Sequence, residues 1–318
     1  MLSAHVSVLR ATGPRLAFFS LVVCSVGRTE ELKRLFESLR GQSFRSFEVI
    51  LVDQNDDDRL DDLVSRFSDL TITHVHAARG LSHARNVGLD YTCGDIVAFP
   101  DDDCWYPPTL LAEVATLVRL RRGVDIVSGR TVDESGISSV SVFDSSAQPV
   151  SRSNFLRCGN SNTLFFRRDA LARIGPFDTK LGVGAPTIFG SGEEADVILR
   201  ALSLGMAIEY RPDLLVHHAQ VDEVVTTKTL NRAYSYGAGF GALLRKHRFG
   251  WTYFLYRELR TTAGGLLALL RGDLAKARYK GLWFAGVLKG FVTWDDFRPG
   301  DGRPRTERTA SRAACPRT

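Results

Sequence analysis

The sequence predicts an α/β protein built on a mostly parallel sheet flanked by helices, followed by a helical C-terminal extension. Two observations carry this expectation. Strand-like and helix-like segments alternate between residues 16 and 99, and the strand-like ones are near-continuous apolar runs, as strands covered on both faces require. Beyond residue 223 the alternation stops and the chain turns strongly basic.

Leu16–Val26 reads as the first strand, because it is rich in β-branched and aromatic residues and runs into Gly27-Arg-Thr-Glu-Glu31. Arg10 and Arg15 ahead of it imitate a signal peptide, but no Ala-x-Ala cleavage site follows. Glu30–Leu39 is then expected as helix, Phe47–Val52 as strand, Leu60–Phe67 as helix, Leu70–His76 as strand, Leu81–Asp90 as helix and Asp95–Phe99 as strand. A helix from Pro107 or Pro108 to Leu120 starts, as helices often do, at proline. Strands are expected at Val124–Gly129 and Asn162–Phe166, and a short helix at Arg168–Ile174. A flexible glycine-rich loop, Gly182–Gly192, leads to a helix at Glu194–Leu204, and strands at Ala207–Tyr210 and Leu214–His218 end this part. The chain therefore divides into a flexible leader (1–15), an α/β domain (16–222), a basic amphipathic helical extension (223–297) and a disordered basic tail (298–318).

Charge sharpens the division. Residues 1–223 hold 23 Lys+Arg against 30 Asp+Glu, whereas residues 224–318 hold 18 against 6, giving −7 and +12 within a net +5. An anionic surface is the expected partner of the extension. Its apolar stretches, around Gly264–Leu270 and Gly281–Trp294, are too short or too interrupted to span a bilayer and read as in-plane helices. Few aromatics interleave with the tail arginines, so nucleic acid is not the expected partner. Five scattered cysteines without a Cys-x-x-Cys argue against a disulfide framework or a zinc ribbon, and for a reducing compartment.

The chemistry-bearing residues collect at predicted strand ends, where open α/β sheets bind ligands. Asp95-Ile-Val-Ala-Phe-Pro-Asp-Asp-Asp-Cys104 delivers three consecutive carboxylates from an apolar strand. Adjacent anions of this kind are stable only when solvated or shared with a cation, and an all-oxygen set suits Mg²⁺ or Mn²⁺ with substrate phosphates. Gly192-Glu-Glu-Ala-Asp196 opens a helix with more acid than capping needs, so one of these carboxylates is a candidate general base. Gly80-Leu-Ser-His-Ala-Arg-Asn86 opens another helix with groups suited to phosphate. Asp53 ends the second strand and is placed to accept hydrogen bonds from a base or ribose, and His217-His218 ends the last. No Gly-x-Gly-x-x-Gly follows the first strand, and neither a P-loop nor a Gly-x-Ser-x-Gly elbow is present.

Taken in order, Phe19-Ser-Leu-Val-Val-Cys-Ser-Val-Gly27, Val49-Ile-Leu-Val-Asp-Gln-Asn55, Gly80–Leu89, Gly94–Asp103, Arg173-Ile-Gly-Pro-Phe-Asp178 and Gly192–Asp196 resemble the family-2 glycosyltransferases of bacterial polysaccharide type. The resemblance runs from Leu16 to His218 and implies a GT-A fold, a Rossmann-like sheet, and sugar transfer with inversion from a nucleotide-sugar. It places Asp101-Asp102-Asp103 on the family's Asp-x-Asp motif, with Asp103 on the metal, Asp101 on the metal and the nucleotide, Asp102 beside them, and His218 on the metal side. Ser25, Asp53, Arg85 and Asn86 fall among the donor-binding positions. Glu194 takes the place of the general base, with Glu193 and Asp196 as alternatives, because Glu193-Glu194 stands where the family has Glu-Asp. Gly27 stands where an Asn is often found.

The sequence-based expectation is thus a cytoplasmic transferase, peripheral on the inner membrane face, using Mn²⁺ or Mg²⁺. Its donor would be a UDP-sugar, or a GDP- or dTDP-sugar, and its acceptor a glycan, in particular a lipid-linked one. A metal-dependent nucleotidyltransferase and a non-catalytic nucleotide- or glycan-binding homologue are the alternatives.

Overall fold

The computed structural model describes residues 7–8, 18–220 and 225–297. The leader and the basic tail expected at 1–15 and 298–318 lie outside the described residues, save for Ser7 and Val8.

Four parallel strands form the first half of the sheet: β2 (Phe19–Ser25), β3 (Phe47–Asp53), β4 (Ile72–His76) and β5 (Ile96–Ala98). The two-residue β1 (Ser7–Val8) pairs antiparallel with the outer edge of β4. Alternation explains why these strands are apolar throughout. Leu21, Val23, Val49 and Leu51 pack in one core with Leu32, Leu35, Phe36 and Leu39 of α1 (Glu30–Arg40). Val22, Cys24, Ile50 and Val52 face the other core, with Ala84 of α3 (Leu81–Leu89). The short α2 (Asp61–Ser65) joins β3 to β4.

Beyond β5 the direction changes. After the two-residue β6 (Cys104–Trp105) and α4 (Leu110–Leu120) come β7 (Ile126–Val132), β8 (Gln148–Pro149) and β9 (Leu164–Arg167). β9 inserts antiparallel between β5 and β7. α5 (Arg168–Ile174) and α6 (Glu193–Ser203) precede β10 (Ile208–His218), which runs parallel to β7. The full order is β1-β4-β3-β2-β5-β9-β7-β10-β6, with β8 on β10. Instead of the two strands expected at 207–218, β10 is one strand whose register breaks between Tyr210 and Leu215, around Pro212. The unexpected β6 pairs Cys104 with His218 and Trp105 with His217. The helix expected from Pro107 or Pro108 begins at Leu110.

The extension consists of α7 (Thr227–Lys246), α8 (Trp251–Leu270) and α9 (Leu274–Thr293). α7 and α9 touch through glycine: a Cβ on Gly286 or Gly290 would overlap the carbonyls of Tyr234 and Ala238. α7 also binds the glycine-rich loop, accepting from Gly190 N at Ser235 O (3.0 Å) and from Ser191 Oγ at Tyr236 O (2.9 Å). α8 turns most of its apolar residues outward, and no helix among the described residues is long and apolar enough to cross a membrane.

Candidate active site

The acidic triplet follows β5 after Phe99 and Pro100, and a backbone bridge between Cys24 and Asp101 sets it beside the end of β2. Ser25 Oγ donates to Asp102 Oδ2 at 2.7 Å. The Arg28 guanidinium spans Asp102 Oδ1 (2.5 Å) and Asp103 Oδ2 (2.6 Å). Arg28 escaped sequence reasoning; its signal was a lone cation in the first loop, opposite three anions. Asp103 Oδ2 also lies 3.2 Å from His218 Nε2, because β6 hydrogen-bonds β10 at that point. Burial opposes ionisation of Asp103, but His218 and Arg28 hold it below the ordinary carboxylate range.

Asp101 turns the other way. Arg85, 2% exposed, places Nη2 3.4 Å from Asp101 Oδ1 and Nη1 3.3 Å from Glu193 Oε1. One buried guanidinium therefore joins the triplet to the start of α6. Burial, with Asp103 and Asp102 adjacent, pushes Asp101 up to about 6 although Arg85 opposes the shift. Among the described residues Glu194 makes no ion pair: burial first and the Glu193 charge second raise it to about 8 although the Arg85 charge opposes the shift, while part of its side chain stays in contact with water. Gly192, at φ +95°, lets the loop turn into α6 against the backbone of Gly239.

Asp196, two residues on, faces a different environment. It is fully buried against Lys246 Nζ (2.7 Å), His247 Nε2 (2.8 Å) and Arg200 Nε (2.9 Å). Despite burial, the His247 hydrogen bond and the Lys246 and Arg200 charges hold it at about 2. Asn86 is likewise occupied: it accepts from Phe177 N (2.8 Å) and donates to Phe177 O (2.9 Å).

Asp53 is completely buried at the end of β3. Its Oδ1 accepts from Asn55 N (2.8 Å) and Nδ2 (2.7 Å), and its Oδ2 lies 3.1 Å from His74 Nε2. These bonds outweigh burial and keep its pKa low. Among the described residues, Asp53, His74 and His76 are the one group of three metal-ligating side chains whose donor atoms lie within 4.8 Å of one another. The two histidines were not singled out from the sequence, although His-x-His on a strand puts both on one face. The expected set of Asp101, Asp103 and His218 converges at Asp103 and His218. A cavity of about 520 Å³ lined by Phe18, Asp95, Arg119 and Arg167 lies at the opposite, amino ends of β2 and β5.

Clustered carboxylates at the carboxyl ends of a mostly parallel sheet, with an antiparallel strand beyond them, are the architecture of the GT-A glycosyltransferases. The fold matches a mannosyltransferase, PcManGT from Pyrobaculum calidifontis, solved with GDP-Man and Mn²⁺, at TM-score 0.60 and 18% identity over 87% of each chain. It also matches residues 1–349 of S. aureus TarS in complex with UDP, at TM-score 0.51 and 18% identity over 88% of this chain and 92% of that one. Residues 20–168 match the family model for glycosyl transferase family 2. The glycosyltransferase AglE of Haloferax volcanii is 25% identical over 216 residues, 64% of this chain and 67% of that protein. Across the curated relatives it matches, the chain spans between 36% and 67% of their length.

Proposed function

We propose that the chain is an inverting glycosyltransferase that moves one sugar from a nucleotide-sugar to a hydroxyl of a lipid-linked glycan in polysaccharide assembly. The observation that carries this reading is Glu194: a carboxylate with a raised proton affinity, held one residue from the Arg85 bridge to the triplet. A base of this kind accepts the acceptor hydroxyl's proton at a pH near its own pKa. Glu193 is a positioning group because Arg85 binds it, and Asp196 is the strap that ties α6 to α7. Asp53 contacts the base, Ser25 and Arg28 orient Asp102 on the donor side, and Asn86 acts indirectly by holding the Phe177 segment.

The donor set at Asp103 and His218, with Asp101 nearby, fits Mn²⁺ or Mg²⁺: three crowded carboxylates, two of them with raised proton affinity, favour an added cation. The chemistry such an ion supplies is neutralisation of the departing nucleoside diphosphate. A UDP-sugar is the preferred donor, with GDP- and dTDP-sugars next, in keeping with relatives of this fold solved with GDP-Man or UDP.

The acceptor reading rests on α8 and α9. Leu255, Leu259, Leu266, Leu267 and Leu270 on α8 and Leu274 on α9 are exposed, with Arg260, Arg271, Lys276 and Arg278 also at the surface. Apolar anchors among cations suit an anionic bilayer, which would place the chain peripherally on the cytoplasmic face.

Calorimetric titration of UDP, GDP and dTDP, with and without Mn²⁺, into wild type and Asp103→Asn tests the donor half. Metal-dependent binding of one nucleotide, lost in the variant, is expected; no binding by folded protein would move the non-catalytic homologue forward. Release of pyrophosphate instead of nucleoside diphosphate would identify a nucleotidyltransferase. Flotation with anionic liposomes at low salt tests the membrane half: wild type should float and Leu266→Asp/Leu270→Asp should not, and a wild type that stays with the soluble fraction refutes it.

A further inference from the structure

We infer a second cation site, separate from the acidic triplet, made by Asp53, His74 and His76 and suited to Zn²⁺ and its near relatives. The site follows from register. His74 and His76 alternate along β4 and therefore point to one face, and Asp53 sits directly opposite His76 in the parallel β3–β4 ladder. Three ligands thus emerge on one side of the sheet, at the ligand-binding ends of its strands.

The three donor atoms lie within 4.8 Å of one another, close enough to close on a small tetrahedral ion. Two donors each at about 2.0–2.1 Å from such an ion stand roughly 3.3 Å apart. Asp53 Oδ2 is 3.1 Å from His74 Nε2 and 3.9 Å from His76 Nδ1. The first edge needs no adjustment. The second closes by a small rotation of the His76 ring, whose side chain is 44% exposed and lies against the His74 ring at 4.9 Å between centroids.

The surroundings hold the ligands in place. Asn55 occupies the other Asp53 oxygen through its backbone and side-chain nitrogens, which leaves Oδ2 directed at both imidazoles. Behind His74, Asp61 Oδ1 lies 3.6 Å from Nδ1, the position of the carboxylate that commonly orients a metal-bound histidine. A simple His74–Asp53 hydrogen bond accounts for one imidazole but not for the second one turned to the same oxygen. Two neutral nitrogens and one carboxylate, with a fourth position open, favour Zn²⁺ or Co²⁺ over Mg²⁺ or Ca²⁺.

A consequence rests on the donor reading above. If Asp53 contacts the base, cation and nucleotide compete for one carboxylate, and each weakens the other's binding by the same factor. Zn²⁺ would then restrain donor binding.

The test uses the full chain stripped with chelator and titrated with Co²⁺ in excess Mg²⁺, read by the visible absorption of low-symmetry Co²⁺. Wild type and Asp103→Asn should develop the band, His76→Ala should lose it, and Asp61→Asn should bind about ten-fold more weakly. Circular dichroism confirms that each variant is folded. No band in folded wild type, or a band kept in His76→Ala and lost in Asp103→Asn, overturns the site. Adding UDP should lower the band; UDP that binds by calorimetry yet leaves the band unchanged overturns the competition alone, and UDP that does not bind at all counts against the donor reading while the site stands.

Discussion

Glu194→Gln keeps the shape of the side chain and removes its charge, and the structure assigns it two opposite effects. The native pKa of about 8 against an ordinary 4.5 means that ionising Glu194 costs folding energy. At pH 7 the gap above 4.5 is roughly 2.5 units, an unscreened ceiling of about 3 kcal/mol. Water reaches part of the side chain, so about 1–2 kcal/mol is the expected gain in stability for the variant. The sign follows from proton counting. Because the native value is raised, the folded state holds the extra proton between pH 4.5 and 8, and wild-type stability falls as pH rises through that window. Urea unfolding of both proteins at pH 5, 7 and 8.5 should show their difference opening with pH and levelling above about 8. Sugar transfer should fall by about 10²–10⁴ in the variant, and the wild-type rate should climb towards pH 8. A variant that is no more stable at any pH, or one that transfers sugar within ten-fold of wild type, would refute the assignment of Glu194 as a half-buried base outside any ion pair.

Asp196→Asn should do the reverse. Its native value of about 2 against 3.8 contributes about 2 kcal/mol that is present above pH 4 and lost as pH falls towards 2, and the substitution leaves Lys246, His247 and Arg200 facing a neutral amide. Urea unfolding at pH 7 should report a loss of about 3 kcal/mol; less than about 1 kcal/mol would mean that the strap is not holding α6. Gly290→Ala drives a Cβ into the Ala238 carbonyl, so α7 and α9 must separate. A loss of about 1–3 kcal/mol, with faster amide exchange in α9, is expected, and unchanged exchange would contradict the close packing.

Much of the α/β core was legible because local pattern encodes it. Near-continuous apolar runs such as Phe19–Ser25 and Phe47–Asp53 can be buried only between two layers, and the acids after Ala98 must then emerge at a sheet edge. The antiparallel entry of β9 and the two-residue β6 were not legible, since neither carries a period of its own. β6 is what brings His218 to Asp103. In α6, Glu194 and Asp196 are two positions apart and so about 200° apart around the helix. Their divergence was implicit in the sequence, but Lys246 and His247, which join Arg200 on the Asp196 face and not on the other, come from the end of α7 and the residue after it, some fifty residues away.

By itself, the sequence determined the mostly parallel sheet, the acidic strand ends and the basic helical extension, because hydrophobic period and charge are properties of neighbouring residues. Only the tertiary structure decided which carboxylates are paired and which stand alone: Arg28 across Asp102 and Asp103, Arg85 between Asp101 and Glu193, two histidines on Asp53, and, among the described residues, no ion pair at Glu194, which feels Arg85 only through its charge. Proton affinity depends on burial and on charges within a few ångströms, and strand register and helix packing, not chain order, bring those charges together.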